Sequence, residues 1–400
     1  MSGKNAGKNR IDGEKTEKIA AGLKNSKGQG SVCSEVKIRV EHKNFCLYFE
    51  ADPKKNAASM PGESKTLLVT GGAGFMGSNF IRYILSAYPN YKVINLDKLT
   101  YAGNLENLKD VENNPNYSFV KGDIAKSEDV EKAVGQGVDV IINYAAETHV
   151  DRSILDPKAF LFTDIIGTYT LLEAVRVGKA KKLIQISTDE VFGMVRSMNE
   201  EFTEESRFDP SSPYSASKAG GDHLCAAYWR TYQTPVIITH SCNFYGPNQY
   251  PEKLIPLAIT NLIEGKRVPV YGKGEQFREW INTSDHCRAI DAILHKGQIG
   301  EVYNIGTRQR SKNIDTIKLI LKHLGKDESS IEYIKDRPGH DFGYAVNPDK
   351  LMNELGWQPQ VQFEDGLKKT VDWYKNNEDW WKKMKSGDYL EYYKKQYKER

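Results

Sequence analysis

Val69-Thr70-Gly71-Gly72-Ala73-Gly74-Phe75-Met76-Gly77 decides how this chain reads, because an apolar run from Thr66 ends in it and a helical pattern begins there. Phe80, Ile81, Ile84 and Leu85 follow at spacings that share one helix face, and Pro89 stops the pattern. Glycines between a strand and a helix allow a tight turn, let the backbone approach a pyrophosphate, and let the helix pack closely on the strand. The helix N-terminus then presents unpaired N–H groups to the anion. Asp97 ends the next apolar run. A carboxylate there accepts hydrogen bonds from the adenosine ribose hydroxyls and repels a 2'-phosphate. The pattern predicts a site for NAD rather than NADP, with neighbouring Lys98 as the one feature pulling the other way.

Working outward, further apolar strands are predicted at 92–96, 118–121, 138–143, 183–187 and 236–239, with helical spacing between them. That alternation calls for an α/β, doubly wound parallel sheet of Rossmann type with helices on both faces. Gly122-Asp123-Ile124 and Ala145-Ala146-Glu147 fall at strand C-termini, where such a sheet binds its ligand. Beyond Tyr245 the chain breaks into pieces punctuated by Pro and Gly, with helices near 255–264, 313–324 and 365–375. These read as a smaller substrate lobe, whose strand at 302–305 is open to returning to the main sheet. Residues 1–30 are rich in Gly, Lys, Asn and Ser and bury too little surface to offset ordering entropy, so disorder is expected. Alternating runs between Val36 and Phe49 resemble an isolated hairpin of marginal stability. Met60 stands just before the first strong strand, so 1–59 reads as an accessory extension. The expected organisation is an extension at 1–59, a dinucleotide-binding domain at 60–245 and a substrate lobe at 246–400.

The formal charge of +3 is small, and residues 1–65 hold 13 basic and 8 acidic side chains, leaving the remainder slightly acidic. Nothing in the folded part advertises nucleic acid. Cys33, Cys46, Cys225, Cys242 and Cys287 are scattered without paired spacing, which argues for reduced thiols, no metal site and a cytoplasmic setting. No apolar stretch approaches the roughly 20 residues of a membrane span, and the start lacks a secretory signal pattern. Near the end, Trp380-Trp381 and the run from Tyr389 to Tyr397 interleave aromatics with lysines. A terminal amphipathic helix with buried rings and solvated lysines accounts for that composition.

Tyr214-Ser215-Ala216-Ser217-Lys218 follows Ser211-Ser212-Pro213, a helix-start signal, so Tyr214 and Lys218 share a face. A lysine cation beside a phenol is expected to lower its pKa and let it take a proton from a sugar hydroxyl. Thr188-Asp189-Glu190 follows the fifth predicted strand. Two adjacent carboxyls there suit one general acid and one general base.

Seven strings together closely resemble the dTDP-glucose 4,6-dehydratase family of extended short-chain dehydrogenases/reductases: TGGAGFMGSNF from Thr70, NLDKLTYAGNLENL from Asn95, AAETHVDRSI from Ala145, ISTDEVFG from Ile186, SSPYSASKAGGDHL from Ser211, YGPNQYPEKLIPL from Tyr245 and RPGHD from Arg337. The resemblance covers about 66–381, and it implies catalytic Thr188, Asp189, Glu190, Tyr214 and Lys218. It implies cofactor contacts from Gly71, Gly74, Phe75, Met76, Gly77, Asp97, Lys98, Leu99, Thr100, Asp123, Ile124, Ala145, Ala146, Glu147 and Thr163, besides Tyr214 and Lys218. For a nucleoside-diphosphate hexose it implies Thr148, Thr188, Asn243, Lys253, Leu254, Pro269, Val270, Tyr271, Arg278, Asn313, Arg337 and His340, the arginines suiting diphosphate oxygens. It further implies a homodimer joined through the helices around Thr163 to Val177 and Tyr214 to Tyr232. The chain departs from the family pattern at Phe192, His240, Phe244, Glu279 and Phe342-Gly343, which leaves the nucleotide, dTDP or UDP, open. A 4-epimerase or 4-reductase of the same fold and a non-catalytic NAD-binding scaffold stand as alternatives; Asp189 and Glu190 argue against the first, Tyr214 and Lys218 against the second.

Overall fold

The computed structural model describes residues 64–336, 339–386 and 388–397. The extension, its hairpin reading and Cys33 and Cys46 lie outside them, as does Arg337. The strands in chain order are β1 Thr66–Thr70, β2 Lys92–Asp97, β3 Tyr117–Lys121, β4 Val138–Asn143, β5 Ala180–Thr188, β6 Val236–Ser241, β7 Asn243–Tyr245, β8 Val268–Tyr271, β9 Phe277–Asn282, β10 Val302–Ile305, β11 Arg310–Lys312 and β12 Ile331–Ile334. Seven of them form one parallel sheet in the order β10-β6-β5-β4-β1-β2-β3. The order reverses between β1 and β4, and a crevice at that switch point is where a doubly wound sheet binds its ligand.

Side chains alternate across a strand, so β1 feeds two cores at once. Leu67 and Val69 join a cluster with Phe80, Ile84, Ile290 and Ile293 on one face, and Leu68 joins Ile141, Leu171 and Cys225 on the other. The strand ends carry the site, and two run longer than their apolar cores: β5 extends to Thr188 and β6 to Ser241, each bringing buried polar groups into the crevice. β3 is one of the two edge strands and only partly buried, unlike the two-sided burial its apolar pattern predicts.

A second core binds the helices Leu254–Ile263, Asn313–Leu324 and Phe363–Asn376 through Ile259, Ile317, Leu367 and Val371. Trp380 and Trp381 are buried in it, and Tyr389 and Tyr392 are buried in the helix Asp388–Tyr397. The rings lie inward while Lys382 and Lys383 ion-pair with Glu378 and Glu106, the amphipathic arrangement expected. No helix among the described residues is long and apolar enough to cross a membrane.

Candidate active site

The glycine turn is held by contacts that admit no side chain. Gly71 has φ +64°, and a Cβ there would lie 2.6 Å from the Ala145 nitrogen; one on Gly77 would lie 2.4 Å from the Gly71 oxygen. The turn therefore lies against the end of β4 and the following helix packs onto it. That helix, Phe75–Ala87, has Gly74 at its N-cap, no side-chain cap and no acid in its first turn, so its free N–H groups are left for an anion. Asp97 accepts from Ala73 N at 2.9 Å and Leu99 N at 2.7 Å. Burial raises its proton affinity and these two N–H bonds oppose that rise. Lys98 is engaged by Asp123 at 2.7 Å, which answers the one feature that favoured a 2'-phosphate. These are the elements a pyrophosphate and an adenosine ribose need, and the chain's residues fit NAD on that ground.

A single cleft runs from this turn to the substrate lobe, and it gathers nearly all of the expected positions. Gly71, Gly74, Phe75, Met76, Gly77, Asp97, Lys98, Thr100, Asp123, Ile124, Ala145, Ala146, Glu147 and Thr163 line its dinucleotide side. Leu99 does not line it. Its left-handed φ of +57° turns the chain so that its backbone N–H serves the Asp97 carboxylate. Thr148, Asn243, Lys253, Leu254, Pro269, Val270, Tyr271, Arg278, Asn313 and His340 line the other end. There Lys253 Nζ donates to the Thr148 carbonyl at 2.6 Å, His340 Nδ1 lies 2.6 Å from Asp336, and Arg278 stacks over the Tyr344 ring. The amide oxygens of Asn243 and Asn313 are buried without a partner among the described residues, as acceptors awaiting a polar ligand would be.

Between the two ends lie Thr188, Glu190, Tyr214 and Lys218. Ser212 caps the helix Pro213–Tyr232 in a reciprocal box with Ser215, which fixes where Tyr214 and Lys218 emerge. Tyr214 hydrogen-bonds Thr188, and Lys218 Nζ donates to the Ile186 carbonyl at 2.8 Å. The expected lowering of the phenol meets a contrary environment: burial first, then the charges of Glu190 and Asp164, push Tyr214 well above its ordinary value. Asp189 is buried and does not line the cleft. The reason is local: Asp189–Phe192 is a 3-10 turn, and about three residues per turn aims adjacent side chains roughly 120° apart. Burial and the neighbouring Glu190 and Glu279 hold the Asp189 carboxyl well above the usual carboxylate range, and its Oδ2 has no partner among the described residues.

Several lining residues escaped the sequence reading, among them Tyr144, His149, Asp151, Glu252 and Tyr397. Asp151 binds the last helix through Gln396 Nε2 at 2.7 Å, and Arg152 lies between the rings of Tyr101 and Tyr392 while paired with Glu252 at 2.9 Å. The strings AAETHVDRSI and YGPNQYPEKLIPL hold His149, Asp151, Arg152 and Glu252 of this wall without marking them as lining. Of the departing residues Phe342 is exposed, and the others pack instead of facing solvent. Phe192 stacks on Phe202 and meets His240, whose Nε2 lies 3.2 Å from Asp222; Phe244 packs on His286. Glu279 accepts from Thr307 N, Arg308 N and Arg310. Gly343 is required by its neighbour, since a Cβ there would lie 2.1 Å from the Phe277 ring.

A doubly wound sheet with this turn, this ribose-facing carboxylate and a Tyr-Lys pair beside Thr188 and Glu190 defines an NAD-dependent enzyme of the nucleotide-sugar type. Residues 68–370 match the family model of GDP-mannose 4,6 dehydratase. The chain is 46% identical to the dTDP-glucose 4,6-dehydratase of Shigella flexneri, over 84% of this chain and 99% of that protein. It superposes on the dTDP-glucose 4,6-dehydratase of Bacillus anthracis solved with NAD, with a TM-score of 0.75 and 49% identity over 80% of this chain and 100% of the other. The same holds for the Streptomyces venezuelae enzyme solved with NAD and dTDP, with a TM-score of 0.77 and 47% identity over 80% and 99%. The chain belongs to the dTDP-glucose 4,6-dehydratase family.

Proposed function

We propose that this NAD-dependent hydro-lyase converts dTDP-glucose to the 4-keto-6-deoxy sugar nucleotide with loss of water. The observation that carries this reading is the joint lining of one cleft by the glycine turn, Tyr214, Thr188 and Glu190. In the sequence of steps, Tyr214 takes the C4 hydroxyl proton while Thr188 hydrogen-bonds at the same oxygen. NAD, which the glycine turn, Asp97 and Lys218 would hold, would supply the two-electron acceptor for the C4 hydride and its return to C6, and its positive charge would favour the phenolate of Tyr214. The C4 ketone acidifies C5, Glu190 removes the C5 proton, and the departing C6 hydroxyl takes a proton assigned to Asp189, which lies behind the cleft wall and reaches it through Thr188 Oγ1 at 3.2 Å, and leaves as water. Glu190 then returns its proton to C5 as C6 is reduced, and the proton left on Tyr214 passes through solvent to replace the one that Asp189 gave up, so substrate becomes product plus water with no net redox change. The raised proton affinity of Asp189 suits a general acid.

Arg278 and the arginine at 337 are assigned to the diphosphate, 60–245 to the cofactor and 246–400, whose β10 joins the main sheet, to the sugar nucleotide. Incubation with dTDP-glucose and UDP-glucose in parallel, followed by product mass, is expected to give loss of one water from the dTDP sugar at the higher kcat/KM. Inversion at C4 without mass change would end the dehydratase reading.

A homodimer and a cytoplasmic setting belong to the same proposal. Leu161, Phe162, Ile166 and Tyr169, with Tyr232 of the catalytic helix, are exposed apolar residues on the two helices that the resemblance assigns to the dimer. Such residues bury favourably against a second copy. Sedimentation is expected to report twice the chain mass, and a monomer at micromolar concentration would refute it. Cys225, Cys242 and Cys287 are buried free thiols, which suits a reducing compartment.

A further inference from the structure

Asp164 is a fully enclosed carboxyl that the reaction scheme above leaves without a task. It lies in a π turn, Leu161–Gly167, where the widened backbone is stabilised by Thr168 Oγ1 donating to the Asp164 carbonyl at 2.6 Å. Glycine lets the catalytic helix come against this turn: a Cβ on Gly221 would lie 2.8 Å from the Asp164 oxygen. The Asp164 carboxyl thereby enters the gap between that helix and the loop after β4. Its Oδ2 accepts from Ser217 Oγ at 2.6 Å, one residue before Lys218, and its Oδ1 accepts from Glu147 N at 3.3 Å. Ser217 Oγ also lies 2.8 Å from the Tyr214 carbonyl.

Charge gives this contact a chemical meaning. Lys218 is buried with its ammonium on a neutral carbonyl, and a buried cation needs a counter-charge. Asp222, one turn further on, has its Oδ2 engaged by Ser187 and His240. Asp164 supplies a second carboxylate, and Lys218 is the strongest influence opposing the burial of that group.

Resting on the function proposed above, we infer that Asp164 is a positioning residue for the reaction. Its carboxylate ties the π turn to the catalytic helix through Ser217, counters the Lys218 charge, and so sets how readily Tyr214 releases its proton. The groups facing Asp164 are Glu147, Lys218 and Asp222, and those facing Tyr214 are Glu190, Asp189 and Asp164 itself. Glu147 in turn faces Lys98, Arg152 and Glu252. Burial, and for Glu147 the charge of Asp164, push the Asp164 carboxyl up to about 6 and the Glu147 carboxyl up to about 7. Above that range Asp164 is ionised, and its negative charge raises the phenol. Removing the charge must therefore move Tyr214 ionisation to lower pH.

The test needs no substrate, so it is separable from failure of the dehydratase reading, which product mass decides. Ultraviolet pH titration of NAD-loaded protein, taken as the difference between each background and the same background carrying Tyr214→Phe, isolates the Tyr214 phenolate. Asp164→Asn is expected to lower that midpoint by about one pH unit. Ser217→Ala, which breaks the tie and keeps the charge, is expected to lower thermal stability with a far smaller change in the midpoint. An unchanged or raised midpoint in Asp164→Asn, with NAD content equal to that of the parent, overturns the proposal.

Discussion

Glu190→Gln is expected to leave an enzyme that oxidises dTDP-glucose and then stalls, with product formation reduced about a thousandfold. Glutamine keeps the size and the hydrogen-bonding capacity of the side chain but has no basicity, so C4 oxidation through Tyr214 and Thr188 is spared while the C5 proton has no acceptor. The readout is specific to that order of events. On mixing with substrate, the near-ultraviolet absorbance of reduced nicotinamide should rise and persist, and exchange of the C5 hydrogen with deuterated solvent should vanish. Bound NAD content before mixing should match the parent, since Glu190 stands beyond the glycine turn at the reacting centre of the cleft. Water loss at an undiminished rate would place the base elsewhere.

Tyr214→Phe is expected to stop the reaction one step earlier. The phenol is the hydroxyl that meets Thr188 at the reacting centre, and without it nothing removes the C4 proton as hydride departs. A fall of roughly a thousandfold in kcat/KM should come with no burst of reduced cofactor, in contrast to the glutamate variant. The ring remains, so packing against Phe160 and the capped helix should hold, and the melting temperature should stay close to that of the parent. A burst equal to the parent's would show that another group takes the first proton.

The parts of the molecule legible in sequence are those whose constraint is local. From Val69 to Gly77 each residue type answers to a requirement within a few bonds, and the capping box at Ser212 is likewise written in adjacent positions. Parallel strands announce themselves because both faces are buried, and even the boundaries of β1 and β4 fall where the apolar runs place them. What escaped depends on partners distant in the chain. The π turn exists because glycines of the catalytic helix permit a close approach, so Asp164 reads from sequence as an ordinary polar residue on a helix face. Asp189 was expected beside Glu190 in the cleft, and a single turn of 3-10 geometry separates them. Leu99, which the resemblance implies as a cofactor contact, does not line the cleft, and its backbone N–H serves the Asp97 carboxylate instead. Gln396 and Asp151 lie more than two hundred residues apart and meet only once the substrate lobe folds back.

The helix Asp388–Tyr397 supplies Gln396 to Asp151 and Tyr271, and Tyr397 to the cleft wall. It is also the last of the described elements to leave the ribosome. The glycine turn and β1 to β6 emerge far earlier, so a nascent chain can form the nucleotide crevice long before the sugar-facing wall exists. Completion of that wall is then a late event in biosynthesis, and chains released short of this helix would carry a pocket open on one side.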